Sequence, residues 1–128
     1  MSLNVLVVDD SAVMRSMVIR TLKLSGLPLG EVHQAANGQE GLQLLDSNWI
    51  DLALVDLNMP VMDGEEMVGR LRLNPETQQL SVVVVSTESS DTRIEKLKRN
   101  QNVEFVHKPF TPEGLRETVI GVMGGLDV

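Results

Sequence analysis

The chain has no cysteine, which excludes a disulfide framework, a thiolate metal site and a cysteine nucleophile. Aromatic residues are only 2% of it, so its core must be aliphatic, built on Val, Leu, Ile and Met. No apolar run approaches the length of a bilayer span, and the N-terminal run from Val5 to Val8 stops abruptly at Asp9 and Asp10, unlike a secretory signal. Positive charge is scarce: 11 Lys and Arg face 18 Asp and Glu, a net charge of -7. That balance argues against nucleic acid or membrane as a direct partner, because both reward clustered Lys and Arg. The expectation is a cytoplasmic protein whose partners are proteins.

What is present suits one folded domain over residues 1–128, long enough to bury a real core and too short for two. Five β-rich runs stand out: Leu3 to Val8, Glu31 to Ala35, Asp51 to Val55, Ser81 to Val85 and Val103 to His107. Several are almost continuously apolar, as strands buried on both faces should be. Segments with helical spacing lie between them. Met14, Met17, Val18 and Leu22 share a face; Leu42 and Leu45 follow Gly38; Met67, Val68 and Leu71 follow Asp63 and Gly64. Ile94 and Leu97 form a thin stripe in a charged segment, and Leu115, Val119, Val122 and Met123 follow Thr111 and Pro112. Gly30, Asn74 and Pro75 read as loop, and Trp49, at a helix end, as core. Alternating strands and helices predict an α/β, flavodoxin-like, doubly wound fold: a five-stranded parallel sheet in order 2-1-3-4-5 with helices on both faces.

In such a sheet, ligands bind beyond the carboxyl ends of the strands, where the strand order reverses. Asp9 and Asp10 end the first run and Asp56 follows the third, so carboxylates crowd the switch point and repel one another unless a cation sits among them. Magnesium suits oxygen ligands, of which it commonly takes one or two carboxylates and a phosphate oxygen. The fifth run ends in His107, Lys108 and Pro109, and the fourth in Ser86 and Thr87. An ammonium and hydroxyls therefore reach the same rim, where they could contact a phosphoryl group. Aspartate is itself a competent covalent acceptor when a metal and positioning assist it.

The pattern Val7-Val8-Asp9-Asp10, Val55-Asp56-Leu57-Asn58-Met59-Pro60-Val61-Met62-Asp63-Gly64, Val85-Ser86 and Lys108-Pro109-Phe110 resembles the CheY-like receiver domain of two-component signalling, over essentially the whole chain. The resemblance implies Asp56 as phosphoacceptor, with Mg2+ (or Mn2+) held by Asp10, Asp56, the main-chain carbonyl of Asn58 and, through water, Asp9. It implies that Lys108 contacts the phosphoryl group, that Ser86, Thr87 and Phe105 form the switch, and that a cis peptide joins Lys108 to Pro109. Asn58 and Glu88 would tune dephosphorylation, in the manner of chemotaxis members that lose phosphate quickly. The donor would be a histidine kinase or phosphotransfer protein. Output would pass from the fourth helical segment, fifth strand and last helix to a downstream protein target or to an effector domain that this chain lacks; homodimerisation is open. The chain would catalyse only its own phosphorylation and dephosphorylation. Two departures concern the output surface: Arg99-Asn100-Gln101-Asn102 replaces a common Gly-Ala, and Thr87 replaces a commoner Ala.

Blander readings apply elsewhere. Ser11 and Asp63 are helix caps, the methionines are adaptable core filler, and His33 and His107 share no ligand spacing. A dehalogenase-type phosphohydrolase would place Asp where Asn58 stands. A pseudo-receiver would lack an acidic residue or the lysine. A flavodoxin would need more aromatics and a phosphate-cradling loop.

Overall fold

The computed structural model describes residues 2–86, 95–97, 99, 102–108 and 110–124. Its elements run β1 (Leu3–Val8), α1 (Ala12–Leu24), β2 (Leu29–Ala35), α2 (Gly38–Ser47), β3 (Leu52–Asp56), α3 (Gly64–Leu73), β4 (Ser81–Ser86), β5 (Val103–His107) and α4 (Pro112–Val122). A helical stretch at 95–97 lies between β4 and β5. The strands form one parallel sheet in the order β2-β1-β3-β4-β5, as the alternation of strand and helix predicts.

Side chains alternate across the sheet, which splits the apolar runs between two cores. Leu6, Val8, Ala53, Val55, Val82 and Val84 face α2 and α3, where Met67, Val68 and Leu71 meet them. Val5, Val7, Leu52, Leu54, Val83 and Val85 face α1 and α4, packing with Val18, Leu22, Leu115 and Val119. Polar caps start the helices: Ser11, Asn37, Asp63 and Thr111 each accept a hydrogen bond from the backbone N–H three residues on, satisfying donors that the first turn leaves open. Among the described residues, no helix is long and apolar enough to cross a membrane.

Three sequence-based expectations need correction. Trp49 is 78% exposed; its indole N–H donates to Asp51 Oδ1 at 3.0 Å, and Ile50 takes the buried position that leads into β3. Met17 is exposed because α1 buries the face through Val18 and Leu22, about 100° around the helix from it. Gly30, expected in a loop, lies inside β2, which starts at Leu29, two residues before Glu31. There the register slips between the Leu3 and Val5 pairs, and Asn4 Oδ1 accepts the Glu31 N–H at 2.9 Å. His33 sits 3.2 Å from Glu31 and His107 is exposed. The seven methionines do not act alike: Met62 and Met67 are buried while Met17 faces solvent.

The link from β3 to α3 is tight. Gly64 donates its N–H to Leu57 O at 3.0 Å, and a Cβ built on it would stand 2.5 Å from Asp56 O. Gly69, in the same helix, has nothing within 4 Å of such an atom. Gly64→Ala is therefore expected to cost roughly 1–3 kcal/mol by overpacking against backbone. Gly69→Ala is expected to stabilise by roughly 0.5–1 kcal/mol through helix propensity. Urea unfolding of the two variants checks the contrast, and equal effects would contradict it.

Candidate functional site

Register brings the acidic residues together. Val8 pairs with Val55, so the residues that follow, Asp9 and Asp56, emerge side by side at the carboxyl edge of the sheet. Asp10 follows Asp9, and one carboxylate oxygen from each of Asp9, Asp10 and Asp56 lies within 4.8 Å of the others. Asp9 is 4% exposed; Asp10 faces solvent.

From β5, Lys108 reaches across the same edge. Its Nζ stands 3.5 Å from Asp56 Oδ1 and 3.6 Å from Asp9 Oδ2, and all three side chains are at least 85% buried. Asp9 is held further by Ser11, whose backbone N–H donates to Asp9 Oδ1 at 2.9 Å. Burial pushes the Asp56 carboxyl up from 3.8 to about 6. The Lys108 ammonium opposes this, while the charges of Asp9 and Asp10 add to the rise. One ammonium among three carboxylates leaves the cluster short of positive charge. The donors are all hard oxygens, a set that fits Mg2+ or Mn2+ and would not favour a soft ion.

The remaining sequence-predicted residues divide. Asn58 is exposed two residues beyond Asp56. Ser86 ends β4, with its backbone paired to His107. Phe105 pairs with Val84 in the sheet and is half-buried against the α2–α3 core, its ring 6.4 Å from that of His107 in an edge-on arrangement. The switch reading of the Ser86 hydroxyl, those of Thr87 and Glu88, and the peptide between Lys108 and Pro109 lie outside the described residues.

Two features escaped the sequence reading. Arg15 donates from Nη1 to the main-chain carbonyl of Asp9 at 2.6 Å; the signal was a basic residue one turn beyond the Ser11 cap. Val61 has a φ of 68°, and Met62 N–H donates to Pro60 O at 2.7 Å. This is a three-residue turn of a kind that is strained for a β-branched side chain.

The sequence and fold have counterparts among known proteins. A family model described as "Response regulator receiver domain" matches residues 5–120. CheY1, a chemotaxis protein of Helicobacter pylori, is 35% identical over 127 residues, which cover 98% of this chain and 100% of that protein. A CheY homolog of Campylobacter jejuni is 35% identical over 124 residues, covering 95% and 93%. In three dimensions, Vibrio cholerae CheY4 is similar with a TM-score of 0.83 at 34% identity, over 95% of this chain and 99% of that one.

The raised Asp56 carboxyl sets a pH dependence for the metal-free protein. Between 3.8 and about 6 the folded protein keeps a proton that the unfolded chain has released, so stability falls as pH rises through that window and levels off above it. Asp56→Asn removes the buried charge. It is expected to raise stability at pH 7 by roughly 1–2 kcal/mol and to change it little at pH 4, read from urea unfolding without divalent cations. The same gain at both pH values would contradict this origin.

Proposed function

The chain belongs to the response regulator receiver family, CheY-like proteins of two-component signalling, and from this premise we propose that it is a phosphoacceptor switch working through Asp56. The observation that carries the reading is the Lys108 ammonium, which bridges Asp56 and Asp9 beside a third carboxylate.

In the proposed reaction an Asp56 carboxylate oxygen attacks the phosphorus of a phosphohistidine on a histidine kinase or phosphotransfer protein. A P–O bond forms, the P–N bond breaks, and the imidazole leaves with the electron pair. Asp9, Asp10, Asp56 and the Asn58 carbonyl would hold Mg2+ or Mn2+. The cation would offset the repulsion among the carboxylates and the charge on the phosphoryl oxygens. Lys108 trades the Asp56 carboxylate for a phosphoryl oxygen, so its charge is matched before and after transfer. Burial serves the nucleophile, because Asp56 is poorly solvated when ionised and gives up little hydration to react.

Asp56 phosphate would then draw in the Ser86 hydroxyl, with Thr87 and Phe105 adjusting, and alter the surface around β5, α4 and the segment before β5. A downstream protein, or an effector domain attached to this receiver, would read that surface. Asn58 and Glu88 flank the path of the attacking water and would make the phosphorylated state short-lived. In this reading the protein acts in the cytoplasm and catalyses only its own phosphorylation and dephosphorylation.

Intact-mass measurement after incubation with phosphoramidate or acetyl phosphate and Mg2+ tests the reading. One phosphoryl adduct is expected, absent without divalent cation and absent in Asp56→Asn. Lys108→Ala is expected to slow its appearance by about 10²-fold. An adduct that survives Asp56→Asn would overturn the assignment of the acceptor, and one that persists for many hours would overturn the short lifetime.

A further inference from the structure

We propose that Arg15 is a positioning residue for the cation site: it holds the Asp9–Asp10 peptide in the orientation that aims both carboxylates at Asp56. The inference rests on the reading of the acidic cluster as a cation site and assigns a role to a residue outside that cluster.

Arg15 lies one turn into α1, where its backbone N–H donates to Ser11 O at 3.0 Å. A long side chain on a helix runs back toward the N-terminus, and here it runs back over the end of the sheet. Nη1 donates to Asp9 O at 2.6 Å, and Nε donates to Gln34 Oε1 at 3.1 Å. Gln34 belongs to β2, which pairs with β1 up to Val8 and Ala35, and Asp9 N–H donates to Ala35 O at 3.1 Å. The planar guanidinium therefore ties the strand end just beyond its last pair to the neighbouring strand.

The peptide whose carbonyl it grips joins the two acidic residues. Asp9 has other supports, the Ser11 N–H on one oxygen and Lys108 on the other. Among the described residues, the Asp10 carboxylate has no hydrogen bond of its own, so its direction follows from the backbone that carries it. Rotation of the Asp9–Asp10 peptide would swing Asp10 away from Asp56. A guanidinium anchored at two points resists that rotation, whereas an ammonium, a single point charge, cannot hold both acceptors in one plane.

A rival explanation is that Arg15 acts only as a positive charge near the cluster. The two make opposite predictions. Removing a mere charge would strengthen Mg2+ binding, because the carboxylates would lose a competitor. Removing a positioning group would weaken it.

The experiment is a Mg2+ titration of the 15N-labelled chain, following the backbone amides of Asp10 and Ser11, for wild type, Arg15→Met, Arg15→Lys and Gln34→Ala. Arg15→Met is expected to raise the Mg2+ dissociation constant about tenfold, the range seen when groups that orient metal ligands are removed. Arg15→Lys should recover part of the loss, and Gln34→Ala should show a smaller rise in the same direction. In phosphoramidate assays the half-saturating Mg2+ concentration should move more than the plateau rate. Unchanged or tighter Mg2+ binding in Arg15→Met overturns the proposal. If that variant unfolds at lower temperature, Gln34→Ala decides: weaker binding supports the proposal and unchanged affinity overturns it. Wild-type protein that binds no Mg2+ but folds normally would overturn the reading of the cluster itself, a result distinct from equal binding by wild type and variants.

Discussion

Three carboxylates held with oxygens inside 4.8 Å of one another form an arrangement that water would disperse and that the fold must impose. Parallel pairing of β1 with β3 sets Asp9 beside Asp56, and the apolar residues behind them, from Val5 to Val8 and from Leu52 to Val55, are buried on both faces of the sheet. Hydrophobic burial on the order of 2 kcal/mol per large aliphatic side chain supplies ample driving force to hold a few like charges together. The single ammonium of Lys108 offsets part of the repulsion and leaves the remainder uncompensated by the described side chains. The edge of the sheet thus holds strain of an electrostatic kind, kept in place by a rigid frame.

The frame is rigid where it must be and tight where it turns. Strands place Asp56 and Lys108, while the turn after β3 has to leave the sheet at once so that α3 can begin. Gly64 meets this need because a side chain there would collide with the Asp56 carbonyl. Val61 meets it less comfortably, with a left-handed backbone that suits Gly or Asn better. Backbone strain of this sort concentrates near working groups when surrounding structure is firm enough to enforce it. On the other side of the site, Arg15 and Ser11 tie the start of α1 to the strand end that bears Asp9.

Much of this was legible in the residues themselves. Apolar runs interrupted by capping residues disclosed the alternation of strand and helix, and acidic residues at the ends of the first and third runs announced the switch-point cluster. Lys108 was legible for the same reason, since its run ended at the same edge. Trp49 was not, because an aromatic side chain is usually buried and only the local turn shows that Ile50 enters the core in its place. Nor was Met17, whose position differs from that of Val18 by one step around a helix. The start of β2 eluded the pattern because Asn4, through a side-chain oxygen, stands in for a ladder partner, a substitution that periodicity cannot register. Arg15 escaped for a related reason: its target is a main-chain carbonyl, and backbone acceptors leave no mark on composition.

The distance along the chain between Asp9 and Lys108 carries one more consequence. These two groups sit 3.6 Å apart, yet nearly the whole domain separates them, and the strand that delivers Lys108 is the outermost neighbour of β4. Contacts of such long range carry a large loop-closure entropy cost, which the rest of the sheet must offset. A chain without its last strand would therefore hold its acidic residues without their counter-charge. The completed cluster is thus a mark, built into the topology, that the last strand has docked.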